Sequence, residues 1–417
     1  MADTNLRIDS ERLWSTLMET AAFGATPKGG IRRLALSDED KLVRDWFKAA
    51  ATELGLDVAV DEVGNMFATR PGTDPTRAPI AFGSHLDTQP AGGKFDGILG
   101  VLAGLEVMRT LNDTGFETAA PLTLVNWTNE EGARFAPAMM CSGVWAGDLD
   151  KDAMMAGTDN DGLVFGEELA RIGYRGAETI GTRTIGAFVE LHIEQGPILE
   201  AEEKTIGIVE GGQGIAWFDG TITGRDSHAG TTPMKLRKDA MNALAEIALT
   251  VEAVANEHGP AGVGTIGEAH IIPGSRNTIP GAATFKVDTR HPDGTALTAM
   301  ENALREKFDE IATRRGVEIA LTRVWRKDPI TFHPTIVEAV AAATEKSGYP
   351  ARRMISGAGH DAFYVASACP AGMIFVPCAE GISHNEEESA EKDDCAAGAQ
   401  VLLDTILALD EKGPLSD

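Results

Sequence analysis

Fifteen residues carry the densest chemistry in the chain: Gly83-Ser84-His85-Leu86-Asp87-Thr88-Gln89-Pro90-Ala91-Gly92-Gly93-Lys94-Phe95-Asp96-Gly97, directly after the apolar run Ile80-Ala81-Phe82. An imidazole at His85 and carboxylates at Asp87 and Asp96, set among glycines that let backbone approach closely, are donors that a divalent cation of intermediate hardness selects. A second cluster follows Leu122-Thr123-Leu124-Val125-Asn126-Trp127, where Glu130 and Glu131 stand side by side. Adjacent side chains point in different directions, so one can ligate a metal while the other serves as general base toward an attacking water. Histidines recur at His192, in Val189-Glu190-Leu191-His192-Ile193, and at His384, beyond the apolar run Met373–Val376. Each taken alone has a plainer reading: a Gly-rich turn with a capping Asp, two solvated loop glutamates, a structural histidine. Together, the three histidines, one Asp and one glutamate of the adjacent pair supply five ligands, enough for two metals if one carboxylate is shared, and Asp96 is the best bridge. Two divalent ions can polarise a scissile carbonyl and acidify a water for amide hydrolysis. The nitrogen and oxygen donors suit zinc first, and manganese, cobalt or nickel also fit.

These residues need strands that deliver them to one edge. Ile80 onward, Leu122–Trp127 and Ala187–Leu191 read as short buried strands that alternate with helical segments, the pattern of an α/β layer with a mainly parallel sheet. Ligands bind such sheets at the carboxyl ends of the strands. Two amphipathic segments precede the layer, Ser10–Ala22 and Ser37–Gly55, the second opened by the capping pattern Ser37-Asp38-Glu39-Asp40. Asp96, just before the apolar stretch Ile98–Leu105, is placed to begin a buried helix.

From about Ala216 the rhythm becomes strand (Ala216–Thr223), helix (Met234–Asn256), two strands (Gly262–Ile272, Ala282–Thr289), helix (Ala296–Arg315) and strand (Glu318–Val324), the β-α-β-β-α-β order of a ferredoxin-like unit. Helices at Pro334–Ser347, Asp361–Ala366 and Ala396–Leu409 close the chain, and the acidic run Glu386–Asp394 reads as solvated. The architecture expected is therefore a catalytic α/β domain, residues 1–214 and 331–417, interrupted by an α+β domain at 215–330.

At 417 residues, two domains match the size at which one core stops growing. A formal charge of -26, from 37 basic and 63 acidic residues, argues against nucleic-acid or anionic-membrane partners. Cys141, Cys369, Cys378 and Cys395 form no C-x-x-C pair and read as buried, reduced thiols. Met1-Ala2-Asp3-Thr4-Asn5 lacks an apolar signal core, and no apolar run reaches membrane-spanning length, from which a cytoplasmic location is expected.

The runs GSHLDTQPAGGKFDG, WTNEEGARFAP, LHIEQGPILE, GRDSHAGTTPM, NTIPG, DTRHP and SHNEEE resemble, in order and over nearly the whole chain, the hydantoinase/carbamoylase amidases of the di-zinc aminoacylase and carboxypeptidase clan. The resemblance implies that His85, Asp96, Glu131, His192 and His384 bind two metals with Asp96 bridging, that Glu130 is the general base, and that Asp87 orients the first histidine. It implies substrate contacts from Gln195, Asn277 and Arg290. It also implies an inserted dimerisation (lid) domain whose His228 enters the partner's site in a homodimer. Within the family, Thr26-Pro27-Lys28-Gly29-Gly30 and Gln89–Asp96 look more like N-carbamoyl-L-amino-acid hydrolases and β-ureidopropionases than allantoate amidohydrolases. Read from its chemistry alone, Arg290 suits any small-molecule carboxylate substrate, since its fork matches the acid bidentately. Allantoate deamidation, aminoacylase or dipeptidase action, and a non-catalytic metal-containing binding protein are the rival readings; a base beside the ligands, Glu130, separates an enzyme from the last of these.

Overall fold

The structure, a computed structural model, describes residues 5–415; residues 1–4, part of the stretch from which the absence of a leader is read, lie outside it. The chain divides into two compact units. One comprises residues up to Gly211 with those from Thr331 onward, the other Gly212–Ile330.

In the first unit the strands run, in sheet order, Asp57–Val60, Met66–Arg70, Leu122–Trp127, Ile80–His85, Ala187–Ile193, Ala371–Val376 and Ile206–Gly212. The middle four are mutually parallel, and the flanking pairings are antiparallel. Every residue of those four strands is buried, as parallel strands covered on both faces require. Helices Ile98–Thr114 and Lys392–Lys412 pack against them and each other, while Asp361–Val365 packs beside Met140–Ala146. Alternation along Ala187–Ile193 serves both faces: a Cβ on Gly398 of the C-terminal helix would meet Leu191, whereas Glu190 accepts from Ala362 N at 2.9 Å. Helix Asp38–Glu53 begins as its sequence predicts, with Ser37 Oγ accepting from Asp40 N at 3.2 Å.

The second unit is a four-stranded antiparallel sheet in the order Glu318–Lys327, Gly214–Thr223, Ala282–His291, Val263–Ile272. Helices Ala240–Glu257 and Gly294–Arg315 cover one face, where Phe218, Ile222, Phe285 and Val287 meet Ile247, Val251, Leu304 and Phe308. The first helix starts six residues later than its apolar pattern suggests. Asp239 accepts from Met241 N at 3.0 Å and Asn242 N at 3.2 Å, and as the N-cap it sets the start of the helix there. Met234 and Leu236 form only a single 3-10 turn and stay exposed.

All four cysteines are free and buried. Among the described residues, no helix is long and apolar enough to cross a membrane.

Candidate metal centre

Two histidines form the floor. His85 ends its strand, His192 lies in the neighbouring parallel strand, and their rings stand 5.9 Å apart. Each Nδ1 is engaged by a backbone carbonyl at 2.9 Å, Asp87 O for His85 and Ile193 O for His192. Fixing Nδ1 turns Nε2 of each ring toward Asp96, and that of His192 also accepts from Gly97 N at 3.0 Å.

Asp96 stands between the two halves of the site. Its Oδ1 lies 3.1 Å from His192 Nε2 and 3.7 Å from His85 Nε2, and its Oδ2 lies 3.5 Å from His384 Nε2. Glu131 Oε2 is also 3.5 Å from His384 Nε2. Two groups of three therefore converge, His85–Asp96–His192 and Asp96–Glu131–His384, each with one ligand atom per residue lying within 4.8 Å of the others. The expectation that Asp96 caps a helix is not met. Gly97 occupies the cap position of Ile98–Thr114 with no side-chain hydrogen bond, because the Asp96 carboxylate faces the histidines instead. A Cβ on Gly97, whose φ is +67°, would lie 2.3 Å from His85 Cε1, so the backbone closes directly over the ring.

The electrostatics suit a site for a divalent cation. Burial pushes His85 down to about 4. At His192 burial acts in the same direction, but the hydrogen bond and charge of Asp96 prevail and raise it to about 9. Burial would lift Asp96, yet His192, His85 and His384 hold it below the usual carboxylate range. Glu130 and Glu131 are both driven well above theirs, first by burial and then by neighbouring carboxylates, Asp361 for the former and Asp96 for the latter. A buried cluster of this sign is relieved by positive charge, and its donors are those of a divalent ion.

Glu130 belongs to neither triad; its Oε2 is 3.5 Å from His85 Nε2. Asp87 does not touch His85 through its side chain. Its backbone carbonyl accepts from that ring, and its carboxylate accepts from Glu130 N and Glu131 N. Gln195, at φ +57°, donates from Nε2 to Asp96 Oδ2 at 2.9 Å and leaves a buried, unpartnered Oε1.

The remaining expected residues lie in the second unit. His228 and Asn277 are neighbours on a short ladder: His228 pairs with Thr278, and Ala229 N donates to Asn277 O at 2.9 Å. Gly230 N donates to His228 Nδ1 at 3.0 Å, which leaves Nε2 as the donor of an exposed ring. Arg290, on Ala282–His291, pairs with Asp288 at 2.7 Å.

Sequence reasoning passed over Gln89, Ser383 and Glu388. Gln89 donates from its backbone N (3.0 Å) and Nε2 (2.7 Å) to the two oxygens of Glu131. Glu388 corrects the reading of Glu386–Asp394 as a solvated run. It is 4% exposed, and Glu386 is docked on Thr26 and Lys28. The one available signal was position, since both Gln89 and Glu388 fall within the runs that carry the ligands.

Residues 81–408 match the family described as Peptidase family M20/M25/M40. A Burkholderia multivorans structure described as an amidase of the hydantoinase/carbamoylase family superposes with a TM-score of 0.93 at 50% identity, covering 98% of this chain and 100% of that one. The chain belongs to peptidase family M20/M25/M40, and within it to the hydantoinase/carbamoylase amidases. A Rhizobium meliloti relative named N-carbamoyl-L-amino-acid amidohydrolase is 48% identical over 403 residues, 97% of each chain. A rice relative named ureidoglycolate hydrolase is more distant, 34% identical over 95% of this chain and 84% of its own. Members of the M20 family are metal-dependent, and the two converging triads are where a chain of this family would hold metal.

Proposed function

We propose that this chain hydrolyses N-carbamoyl-L-amino acids to the free amino acid, ammonia and carbon dioxide. The observation that carries the reading is Glu130, a buried carboxylate beside His85 that belongs to neither ligand triad. A site built only to hold ions needs no such group. The name of the 48% identical relative supplies the substrate class.

His85, Asp96 and His192 would hold one divalent ion and Asp96, Glu131 and His384 a second, with zinc the first choice and manganese, cobalt or nickel also suited to these donors. When bound, the ions polarise the carbamoyl carbonyl and stabilise the charge that develops on it. Glu130 takes a proton from the attacking water and delivers it to the departing amino-acid nitrogen as the carbon–nitrogen bond breaks. The carbamate released falls apart to ammonia and carbon dioxide. Arg290 grips the substrate carboxylate with its fork, helped by Asn277 and Gln195. His228 donates a hydrogen bond to the carbamoyl oxygen, across a homodimer in which residues 215–330 serve as the dimerisation and lid domain. We place the enzyme in the cytoplasm.

Ammonia release from several N-carbamoyl-L-amino acids, N-carbamoyl-β-alanine and allantoate, with metal-loaded protein, tests the reading. Turnover is expected with the L-α substrates. Turnover of allantoate alone, or of none of the set, would overturn it, and preference for N-carbamoyl-β-alanine would move the enzyme to the β-ureidopropionase type.

A further inference from the structure

The five proposed ligands are not held equally well. His85 and His192 lie in buried strands at 1% exposure, but the His384 side chain is 50% exposed, on a loop eight residues beyond the end of its strand. Its backbone sits at φ +55°, a conformation that a non-glycine residue keeps only when its surroundings hold it. Something other than regular structure must fix this ligand.

We propose that Glu388 is the positioning residue for the Asp96–Glu131–His384 half of the site; the inference rests on the two-ion reading above. A carboxylate is costly to bury unless its oxygens are satisfied. Those of Glu388 are satisfied by the ligand loops themselves. Oε1 accepts from Phe95 N at 3.1 Å and Asp96 N at 3.0 Å, fixing the backbone of the shared ligand. Oε2 is 3.1 Å from the hydroxyl of Ser383, the residue before His384, and that hydroxyl is also 3.1 Å from Asp96 Oδ2. One side chain thus clamps loops 292 residues apart in sequence. The clamp is close-fitting: a Cβ on Gly93 would lie 2.2 Å from Glu388 Oε1. Two residues earlier, Glu386 is anchored on Thr26 and Lys28, which ties the same loop to the N-terminal segment. The histidines of the other half have anchors of their own, Asp87 O and Ile193 O, and meet this clamp only through Asp96 and the backbone beside it, whereas His384 meets it through Ser383 as well.

Stepwise cobalt titration of the metal-free full-length protein, followed by calorimetry and by the cobalt absorption bands, separates the two halves. Wild type should take up two ions. Glu388→Ala should bind the first nearly as wild type and the second about 10- to 100-fold more weakly, the usual cost of removing a group that orients a ligand. Glu388→Gln should restore the second step, because its amide oxygen can still accept from the two backbone N–H groups while its NH2 donates to Ser383. Ser383→Ala, which leaves those backbone contacts intact, should weaken the second step alone and by less; it carries the test if Glu388→Ala fails to fold. Two unaltered steps in Glu388→Ala, an equal loss of both, or no rescue by Glu388→Gln would overturn the inference while leaving the two-ion site standing. Wild type taking up fewer than two ions would overturn the two-ion reading and the inference with it.

Discussion

The Asp87 carboxylate divides itself between two consecutive amides, Oδ1 accepting from Glu130 N and Oδ2 from Glu131 N, each at 3.3 Å. Fixing both peptides sends the two side chains apart, Glu130 toward His85 and Glu131 toward His384, each at 3.5 Å. Neighbours in sequence thereby acquire different work. Glu130→Gln should keep its metal and lose about 10²- to 10⁴-fold in kcat, the range for a general base. Glu131→Gln should lose metal as well. Elemental analysis beside steady-state kinetics checks both, and a near-normal rate in Glu130→Gln would remove the base.

Metal uptake should release protons. Burial and neighbouring carboxylates raise Glu130 and Glu131 above the usual carboxylate range, and Asp96 raises His192 to about 9, so these groups hold protons more tightly than free side chains do. A cation must displace the His192 proton, so affinity should rise with pH up to about 9. Titration in weak buffer with a pH indicator measures the release directly. A pH-independent affinity with no proton release would contradict this electrostatic picture.

Gly97→Ala should damage the His85–Asp96–His192 half. The added methyl meets the His85 ring and is strained at φ +67°. The expected loss is on the order of tenfold or more in affinity for the first ion, comparable to removing an orienting contact. Metal titration together with the melting temperature of the metal-free variant shows whether the damage is local.

The parallel strands are legible in the sequence because each is a short apolar run that ends in a ligand, as Ile80–Phe82 leads to His85 and Leu122–Trp127 to Glu130 and Glu131. What escapes is what tertiary proximity decides. Asp96 has the sequence context of a cap, and only the approach of His192 from another strand claims its carboxylate. Glu388 sits in an acidic run whose pattern says solvent, until two amides 292 and 293 residues away bury it. The strands Ile206–Gly212 and Ala351–Ser356 escape for a related reason. Gly207, Gly211 and Gly212 dilute the first, and Arg352 and Arg353 give the second the look of a surface loop.

Arg290 should read the substrate carboxylate. Asp288 steadies its guanidinium at 2.7 Å, and Lys at this position would offer a point charge in place of a fork. Arg290→Lys should lower kcat/KM, and wild type should reject an N-carbamoyl amine lacking the acid by a factor on the order of 10⁴. Equal kcat/KM for the acid and its decarboxylated analogue would take Arg290 out of the site.

His228 is tested by mixing two inactive chains. His228→Ala should lose about 10²- to 10³-fold in kcat, the cost of one oxyanion donor, with metal content unchanged. If the ring acts across a dimer, His228→Ala and Glu130→Gln chains should together form heterodimers with one intact site and recover up to half the wild-type rate per dimer. Verified subunit exchange without recovery would confine His228 to its own chain.

The interrupted layout of the first unit has a consequence in time. The Ala187–Ile193 strand needs Ala371–Val376 as its parallel neighbour, and the whole of Gly212–Ile330 is translated between them. At about 5 to 20 residues per second, the nascent chain carries an open sheet edge, apolar at five of its seven residues, for on the order of ten seconds or more before the closing strand is made. Such an edge is a template for pairing with other chains. Polysomes crowded with this half-made sheet are therefore where the protein is most exposed to aggregation, and where a ribosome-bound chaperone would matter most to its yield.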